Sequence, residues 1–531
     1  MKRNDNLPLN IKERRNARTS LLASVGVLAV LILLFNQLDY RLIRKPAQDA
    51  RKKAEITRQK KENEENTPVT STASVIAVGD NLYHQSLIDA GESDSGDWNY
   101  DKIYTHVLDA IQSADVKMID QETVFTTDHD SVSSYPSFAT PTEVGDAIIK
   151  AGFNVVESAT NHIDDFGYDF LADTLNFWKT KYPDVTLIGI HDSQEDADTI
   201  KIREVNGIKI AFLDYTYGTN VGGIEGRDYM IDIFDKTKIT TMIKKAKEQA
   251  DCIIFVAHWG TEDETMPSEY EKQWAAYLME HGVNVIIGGH PHVLQPYGRL
   301  SDGKGNEAVV FYSLGNFVST QQKLEELLGG MASFTIQKSE LNGKTSIQIL
   351  TPEVKPLVMH YNSDSGEFGP YMLDDYTEEL AAQNGVRNYI GDVFTLANLK
   401  SKYNEIMSMN VTPSTGTDLL DVTIDTDLNM IDSSGNIVED NDSITAEQYY
   451  AQKGVDINSE DSSDSSSGDS SYDDSSSDDS SYDDGSYDDG SDDSSYDDSS
   501  YDDYSDDSSY DDSSYDDSSY DSSDDGSYDE E

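Results

Sequence analysis

From Ala73 onward, short apolar runs alternate with longer stretches in which apolar positions recur every three to four residues. That is the pattern of strands and helices packed in layers. The apolar runs predict strands at 74–78, 116–119, 155–158, 186–190, 208–214, 252–257, 283–287 and 309–314. Amphipathic stretches predict helices at 100–113, 142–151, 168–181, 236–249 and 268–281. Their lengths suit β–α alternation. Beyond Gly329 the pattern turns to strand-like runs at 331–337, 345–350 and 354–361, then to two helix-like stretches at 375–383 and 397–407.

Upstream of this region, residues 21–35 (LLASVGVLAVLILLF) are uncharged and apolar. With Asn36, Gln37 and Leu38 they reach the length that spans a bilayer as a helix. No small-residue cleavage site follows; the chain continues Asp39-Tyr40-Arg41-Leu42-Ile43-Arg44-Lys45, which predicts an uncleaved anchor. Basic residues flank both ends, so charge alone leaves the orientation nearly balanced. Residues 1–20 form a basic segment, 21–38 the anchor and 39–72 a charged stalk.

Composition removes a large part of the chain from the folded region. Residues 459–531 contain only Ser, Asp, Glu, Tyr and Gly, with repeats such as Ser495-Tyr496-Asp497-Asp498 and Ser514-Tyr515-Asp516-Asp517. A segment without aliphatic residues cannot offset its ordering entropy by burial, so a disordered acidic tail is expected there. It holds half of the formal charge of −60, and the remainder is still acidic. Nucleic-acid binding needs a basic face and is therefore excluded. The one cysteine, Cys252, lies in the apolar run Cys252-Ile253-Ile254-Phe255-Val256, which makes it a buried strand residue and rules out a disulfide framework or a cysteine-ligated zinc site.

Polar residues collect where the predicted strands end, the place where open α/β sheets bind ligands. Five stretches stand out: Gly79-Asp80-Asn81, Asp120-Gln121-Glu122, Thr160-Asn161-His162, His258-Trp259-Gly260-Thr261-Glu262 and Gly289-His290-Pro291-His292. Each alone has a bland reading. A lone Asp after a strand is usually a turn or cap residue, and Trp259 is more often core than a substrate platform. Together they offer carboxylate, amide oxygen and imidazole, a donor set suited to manganese, iron or zinc rather than to calcium or magnesium. Buried polar groups need partners, and a metal is an economical common one.

In order, Val78-Gly79-Asp80, Gln121-Glu122-Thr123, Ala159-Thr160-Asn161-His162 with Asp165-Phe166-Gly167, His258-Trp259-Gly260 with Glu262, Gly289-His290-Pro291-His292-Val293 with Gln295-Pro296, and Tyr312-Ser313-Leu314-Gly315-Asn316-Phe317 resemble the CapA family of bacterial capsule-synthesis proteins. That family is of the poly-γ-glutamate capsule type and is related to calcineurin-like metallophosphoesterases. The resemblance runs from about Val75 to Val318. It implies an α/β fold, a four-layer α/β/β/α sandwich of the metallophosphoesterase type, in a domain spanning 73–362. It also implies a pair of divalent ions, of manganese, iron or zinc, held by Asp80, Glu122, Asn161, His258, His290 and His292. His162 becomes the catalytic acid, and Asp165 orients a neighbour. The Ser313–Phe317 stretch becomes the pocket floor, or a strand end. Two departures accompany the match. Asp120 stands where the family usually has Asn, and Asp80 is followed by Asn81-Leu82-Tyr83-His84 rather than by Asp-x-His.

The resemblance further implies a cytoplasmic N-terminus, a single-pass cell-membrane protein and an extracytoplasmic domain. The expected function is synthesis, export or anchoring of an anionic capsular polymer, by a metal-dependent phosphoesterase-like hydrolase. Its expected partners are the membrane, capsule polymer synthase or export subunits, and an anionic polymer or phosphoester substrate. Two rivals come from other classes: a non-catalytic scaffold subunit of a membrane polymer synthase complex, and a general cell-envelope phosphoesterase. Residues 363–458 form an extension that has no motif. Since the tail offers almost nothing to a core, truncation after Asn458 should leave the thermal unfolding transition unchanged; a fall of more than about 4 °C, the shift expected of roughly 1 kcal/mol or more, would show that the tail packs on the fold.

Overall fold

The computed structural model describes residues 11–411 except Asp94, and beyond them residues 413–417, 419–420, 423–424, 430–431 and 437–439. The expected disordered tail at 459–531, the first ten residues and the end of the 363–458 extension lie outside the described residues. The N-terminal region is helical from Ile11 to Glu65: α1 (Ile11–Asp39), a π-helical turn (Tyr40–Arg44) and α2 (Lys45–Glu65). Its apolar stretch is exposed along its length, with Leu21 at 65% and Phe35 at 72%. It is long and apolar enough to cross a membrane, and a hydrophobic helix that buries none of its surface in protein fits a single-pass anchor. The predicted stalk is helical as far as Glu65.

The folded region is a mixed α/β fold built on two large sheets. The first has the order β14-β13-β12-β1-β2-β3-β4, from β1 (Val69–Asn81), β2 (Val116–Gln121), β3 (Val155–Glu157), β4 (Thr186–Ile188), β12 (Leu328–Leu341), β13 (Lys344–Asn362) and β14 (Glu367–Met372). Its eighth strand, β11 (Asn316–Val318), pairs with the end of β1. The second has the order β9-β10-β8-β7-β6-β5, from β5 (Lys201–Val205), β6 (Ile208–Thr216), β7 (Cys252–His258), β8 (Val285–Gly289), β9 (Tyr297–Ser301) and β10 (Glu307–Phe311). Strands β1 to β4 run parallel, as do β6, β7, β8 and β10.

Alternation along the second sheet shows how its two faces are used. Ile210, Phe212, Ile254, Val256, Val285 and Ile287 belong to one apolar cluster with Val75, Ala77 and Val78 of β1. Their chain neighbours Ala211, Leu213, Ile253, Phe255 and Ile286 belong to another, with residues of α6 (Lys236–Gln249) and α7 (Glu269–His281) such as Ile243 and Trp274. The period of two that marks a strand thus assigns successive side chains to opposite faces. Helices α4 (Glu143–Ala151) and α5 (Gly167–Lys181) add Ile148 and Trp178 to the first cluster. So do α8 (Glu378–Gln383) and α9 (Leu396–Met407), through Ala381, Leu399 and Ile406, which fastens the first part of the extension to the core.

Tertiary packing changes some local expectations. Of the helix expected at 100–113, only Leu108–Gln112 is α-helical, after a 3₁₀ turn at Thr105–Val107. Tyr100 donates to the Ile88 carbonyl at 2.9 Å and Tyr104 to Asn81 Oδ1 at 3.2 Å, so buried aromatic contacts displace regular helix. The runs at 345–350 and 354–361 are one strand, β13, whose pairing with β12 shifts register between Ser333 and Thr335. Strand β1 begins at Val69 rather than 74 because Thr70, Ser71 and Thr72 pair with Ser339, Lys338 and Gln337, a ladder with no apolar signature. Cys252 is a buried strand residue, and burial pushes its thiol pKa up.

Gly79 sits where two chain segments meet: a Cβ there would lie 1.9 Å from the Gly315 carbonyl oxygen. That carbonyl accepts the Asp80 N–H at 3.1 Å, so the close approach also fixes the first acid of the site. Gly79→Ala should therefore cost at least about 2 kcal/mol in denaturant unfolding. Gly298→Ala, whose Cβ meets nothing within 4 Å, should cost less than about 1 kcal/mol in the same assay.

Candidate metal centre

The parallel strands of both sheets end together, and their ends supply the site. β1 delivers Asp80, β2 delivers Asp120 with Glu122 just beyond it, and β3 leads into Ser158–His162. From the second sheet, β7 ends on His258 and β8 leads into His290 and His292. All of these groups are buried, Asp80, Glu122 and His290 at 0% exposure. Ligand atoms of Asp80, Asp120, Glu122, His258, His290 and His292 form three overlapping triplets, each within 4.8 Å: Glu122 with His258 and His290, Asp80 with Glu122 and His292, and Asp80 with Asp120 and His258.

Close contacts tie the set together. His292 Nδ1 lies 3.0 Å from Asp80 Oδ2, and His258 Nδ1 lies 3.2 Å from Asp120 Oδ2. The other ring nitrogen of His258 is 2.9 Å from Asn161 Oδ1. The His290 backbone N–H donates to Asp80 Oδ1 at 3.3 Å. Two of the histidines hold left-handed backbone, His290 at φ 95° and His292 at φ 58°. Such conformations are strained for a side chain with a Cβ and persist where the surroundings hold them for a purpose. Gly289 makes room between them and the acids, since a Cβ there would fall 2.8 Å from both Asp80 Oδ1 and Asp120 Oδ2.

The electrostatics are those of an acid cluster short of positive charge. Burial, then the neighbouring Asp80 carboxylate, pushes Asp120 well above the usual range. Burial pushes Glu122 up as well, against the pull of His292. His258 is pushed down to about 3 by burial, and His290 falls well below its ordinary value for the same reason. Burial also disfavours charge on His292, but Glu122 and the bond to Asp80 outweigh it and raise its pKa well above normal. Neither carboxylate oxygen of Glu122 has a hydrogen-bond partner, nor has Asp120 Oδ1. Buried acceptors left this way are costly, and a divalent cation satisfies them while relieving the like-charge repulsion. The residues present therefore fit a metal of the borderline class.

Beside this cluster stands a second unit. His162 Nδ1 is 2.7 Å from Asp165 Oδ2, the oxygen that also accepts the Phe138 N–H at 2.8 Å. Burial works against charge on His162, and Asp165 overcomes it to raise the pKa. The supporting shell is extensive. Asp214 Oδ2 accepts the N–H groups of Ser158 and Ala159 at 2.9 and 3.0 Å, holding the loop that bears Asn161 and His162. Asn81 Nδ2 donates to Gln121 Oε1 at 2.7 Å, linking the ends of β1 and β2. Trp259 is core, its Nε1 donating to the Tyr312 carbonyl at 2.9 Å. The 313–317 stretch braces β1: besides the Gly315 bond, Asn316 lies in register with Asp80.

Of the ligands expected from the sequence, Asp80, Glu122, His258, His290 and His292 fall within the triplets, and Asn161 joins them through His258. Asp120, noted as a departure, is a full member. His84 lies outside the triplets. Sequence reading missed Asn220, whose backbone N–H donates to the Asn161 carbonyl at 2.9 Å and whose Nδ2 lies 3.2 Å from His162 Nδ1. It also missed Asp214. The signal was present, because β6 ends at Thr216 and the polar run Gly218-Thr219-Asn220 follows a strand as the other five stretches do.

Residues 74–321 match the family described as bacterial capsule synthesis protein PGA_cap. Over these residues the chain is similar to this capsule-synthesis family. Its relatives include the capsule biosynthesis protein CapA of Bacillus anthracis, 32% identical over 180 residues, covering 33% of this chain and 42% of that protein. The PGA biosynthesis protein CapA of Bacillus subtilis is 34% identical over 171 residues, covering 32% of this chain and 43% of that one. The matched region thus spans less than half the length of either relative. Among solved structures, a putative 5′-nucleotidase from Staphylococcus aureus aligns at 13% identity and TM-score 0.36, covering 54% of each chain. A phosphatase from Mycoplasma pneumoniae aligns at 13% and TM-score 0.31, covering 54% of this chain and 95% of its own.

Asp214 gives the matched region a test of its scaffold that needs no ligand. Asp214→Ala leaves the Ser158 and Ala159 N–H groups without an acceptor and should cost about 2–4 kcal/mol in denaturant unfolding. Asp214→Asn keeps a carbonyl oxygen there and should cost less than half as much.

Proposed function

We propose that this protein is a membrane-anchored, metal-dependent phosphoester hydrolase that acts in the synthesis, export or anchoring of an anionic capsular polymer. The observation that supports it most directly is the convergence of Asp80, Asp120, Glu122, His258, His290 and His292, with both Glu122 carboxylate oxygens buried and without a hydrogen-bond partner. In this reading the two sheets with α4 and α5 on one side and α6 and α7 on the other are a four-layer α/β/β/α sandwich of the metallophosphoesterase type. Residues 73–362 are its enzyme domain, residues 21–38 span the membrane with the N-terminus inside, and the domain faces outward.

Two ions of manganese, iron or zinc would be held by Asp80, Asp120, Glu122, Asn161, His258, His290 and His292. When bound they supply Lewis acidity at the phosphoryl oxygens. The chain's own residues do the rest. Asp165 accepts from His162 Nδ1–H and favours the protonated ring, whose Nε2–H then gives a proton to the departing oxygen. Asn220, anchored by its backbone to Asn161, brings a carboxamide donor beside that imidazole, placed to bind a phosphoryl oxygen or the leaving group. Burial keeps bulk water from the pair, with His162 at 6% exposure.

Elemental analysis of the purified full chain, together with turnover of a model phosphodiester, tests the reading. His290→Ala should lose bound metal, since even changes behind the ligands typically cost about 10- to 100-fold in affinity. His162→Ala should keep the metal while hydrolysis falls by roughly two to four orders of magnitude. Wild-type protein without stoichiometric metal after manganese, iron or zinc supplementation overturns the site. Metal without turnover overturns the hydrolase and leaves a scaffold subunit.

A further inference from the structure

We propose that a polar cleft beside the metal centre binds a neutral, hydroxyl-rich saccharide segment, and that His84 stands where the cleft meets the centre. The cleft has a volume of about 720 Å³, within the range of small-ligand sites. Its walls come from the start of α3 (Gln85–Gly91), the loop after β11, the end of β13 and the residues that follow α8. The extension, for which the sequence offered no role, thus supplies one whole side.

Charge decides against a polyanion as the occupant. The walls hold one acid, Asp364, and one strong base, Arg387. The Arg387 guanidinium is already bound to the Asp392 carboxylate and donates to the Phe394 carbonyl at 2.9 Å. A groove for a densely anionic chain needs a sustained positive field, which this cleft does not offer. It offers instead the exposed carboxamides of Gln322, Gln383 and Asn388, whose side chains make no internal hydrogen bond among the described residues. Each can donate and accept at once, the combination that vicinal hydroxyls require. Tyr389, 60% exposed, presents an aromatic face against which a sugar ring can pack. Tyr361, only 6% exposed, lines the same cleft, and its buried hydroxyl has no hydrogen-bond partner.

Geometry connects the cleft to the reaction centre. His84 lines the cleft, and its Nδ1 accepts the Thr320 N–H at 3.4 Å, which leaves Nε2–H as its donor. Its ring packs edge-on against Phe138 at 5.5 Å, and His162 packs edge-on against the same ring at 4.9 Å. A saccharide seated in the cleft therefore carries a phosphoester at one end towards His162. This last step rests on the hydrolase reading of the centre, whereas saccharide binding does not.

Calorimetric titration of the full chain in lipid nanodiscs, with chitotetraose and cellotetraose as neutral probes and a glutamate oligomer as the anionic one, tests the inference. At least one tetrasaccharide should bind, and Tyr389→Ala and Asn388→Ala, both at exposed positions, should each weaken it about tenfold, the loss of roughly one good contact. His290→Ala should leave that affinity within about twofold, because the two sites share no residue. Absence of tetrasaccharide binding overturns the proposal. So does binding that the Tyr389→Ala/Asn388→Ala double variant leaves intact, or a glutamate oligomer that binds through these residues in place of the sugars. If the chain binds no metal yet shows the expected saccharide pattern, the cleft stands and the hydrolase reading falls.

Discussion

Three carboxylates, Asp80, Asp120 and Glu122, are buried together at the ends of two adjacent strands, and much of the surrounding architecture answers that placement. Removing one carboxylate from water costs several kcal/mol, and bringing three within reach of one another adds mutual repulsion. Hydrophobic burial cannot compensate this locally. What the fold supplies is imidazole from the facing sheet: His292 on Asp80 and His258 on Asp120. The compensation is incomplete, because neither oxygen of Glu122 has a hydrogen-bond partner and its nearest imidazole nitrogen, His292 Nε2, stays 3.7 Å away. A site left short of positive charge by its own scaffold has the properties of a cation receptor rather than of a structural salt-bridge network.

Why the arrangement holds without collapsing follows from the backbone. Gly79, Gly288 and Gly289 allow segments to approach more closely than any Cβ would permit, Gly288 to within 1.8 Å of the Tyr312 carbonyl for a hypothetical Cβ. Those approaches lock the ends of β1 and β8 against the 312–316 segment. The left-handed backbone at His290 and His292 is then over-determined by its neighbours, which is how strain of this kind persists in a stable protein.

Most of the strand framework was legible in the sequence because buried parallel strands are written as apolar runs. The six acids and histidines of the buried cluster were legible because they follow those runs. Apart from Asn220, whose polar run also follows a strand, what escaped notice had no such mark. Lys201–Val205 and Tyr297–Ser301 are edge strands, mostly half-buried and mixed in polarity, and Glu367–Met372 is an edge strand whose buried middle is interrupted by Gly369 and Pro370, so tertiary pairing rather than pattern defines them. Asp214 sits inside the run Ile208–Thr216, where an acid in an apolar strand reads as an exception rather than as a clamp on a loop distant in sequence. Asn220 acts mainly through proximity to Asn161 and His162, a relation that only the fold creates.

The same reasoning separates chemistry from recognition. The charge cluster is built from the PGA_cap region, whereas one side of the polar cleft comes from residues after β14 that lie beyond the matched segment. On the proposed reading, a chain that keeps this cluster alters what is presented to it by changing only that appended wall. The wall is free to change because its exposed residues, Asn388 and Tyr389 among them, contribute little to the core, while Ala381, Val386 and Phe394 beneath them anchor the segment. Specificity placed on such a surface costs the fold little stability, since surface substitutions away from buried networks usually change it by less than about 0.5 kcal/mol. The acid cluster has no such latitude, because every member compensates another.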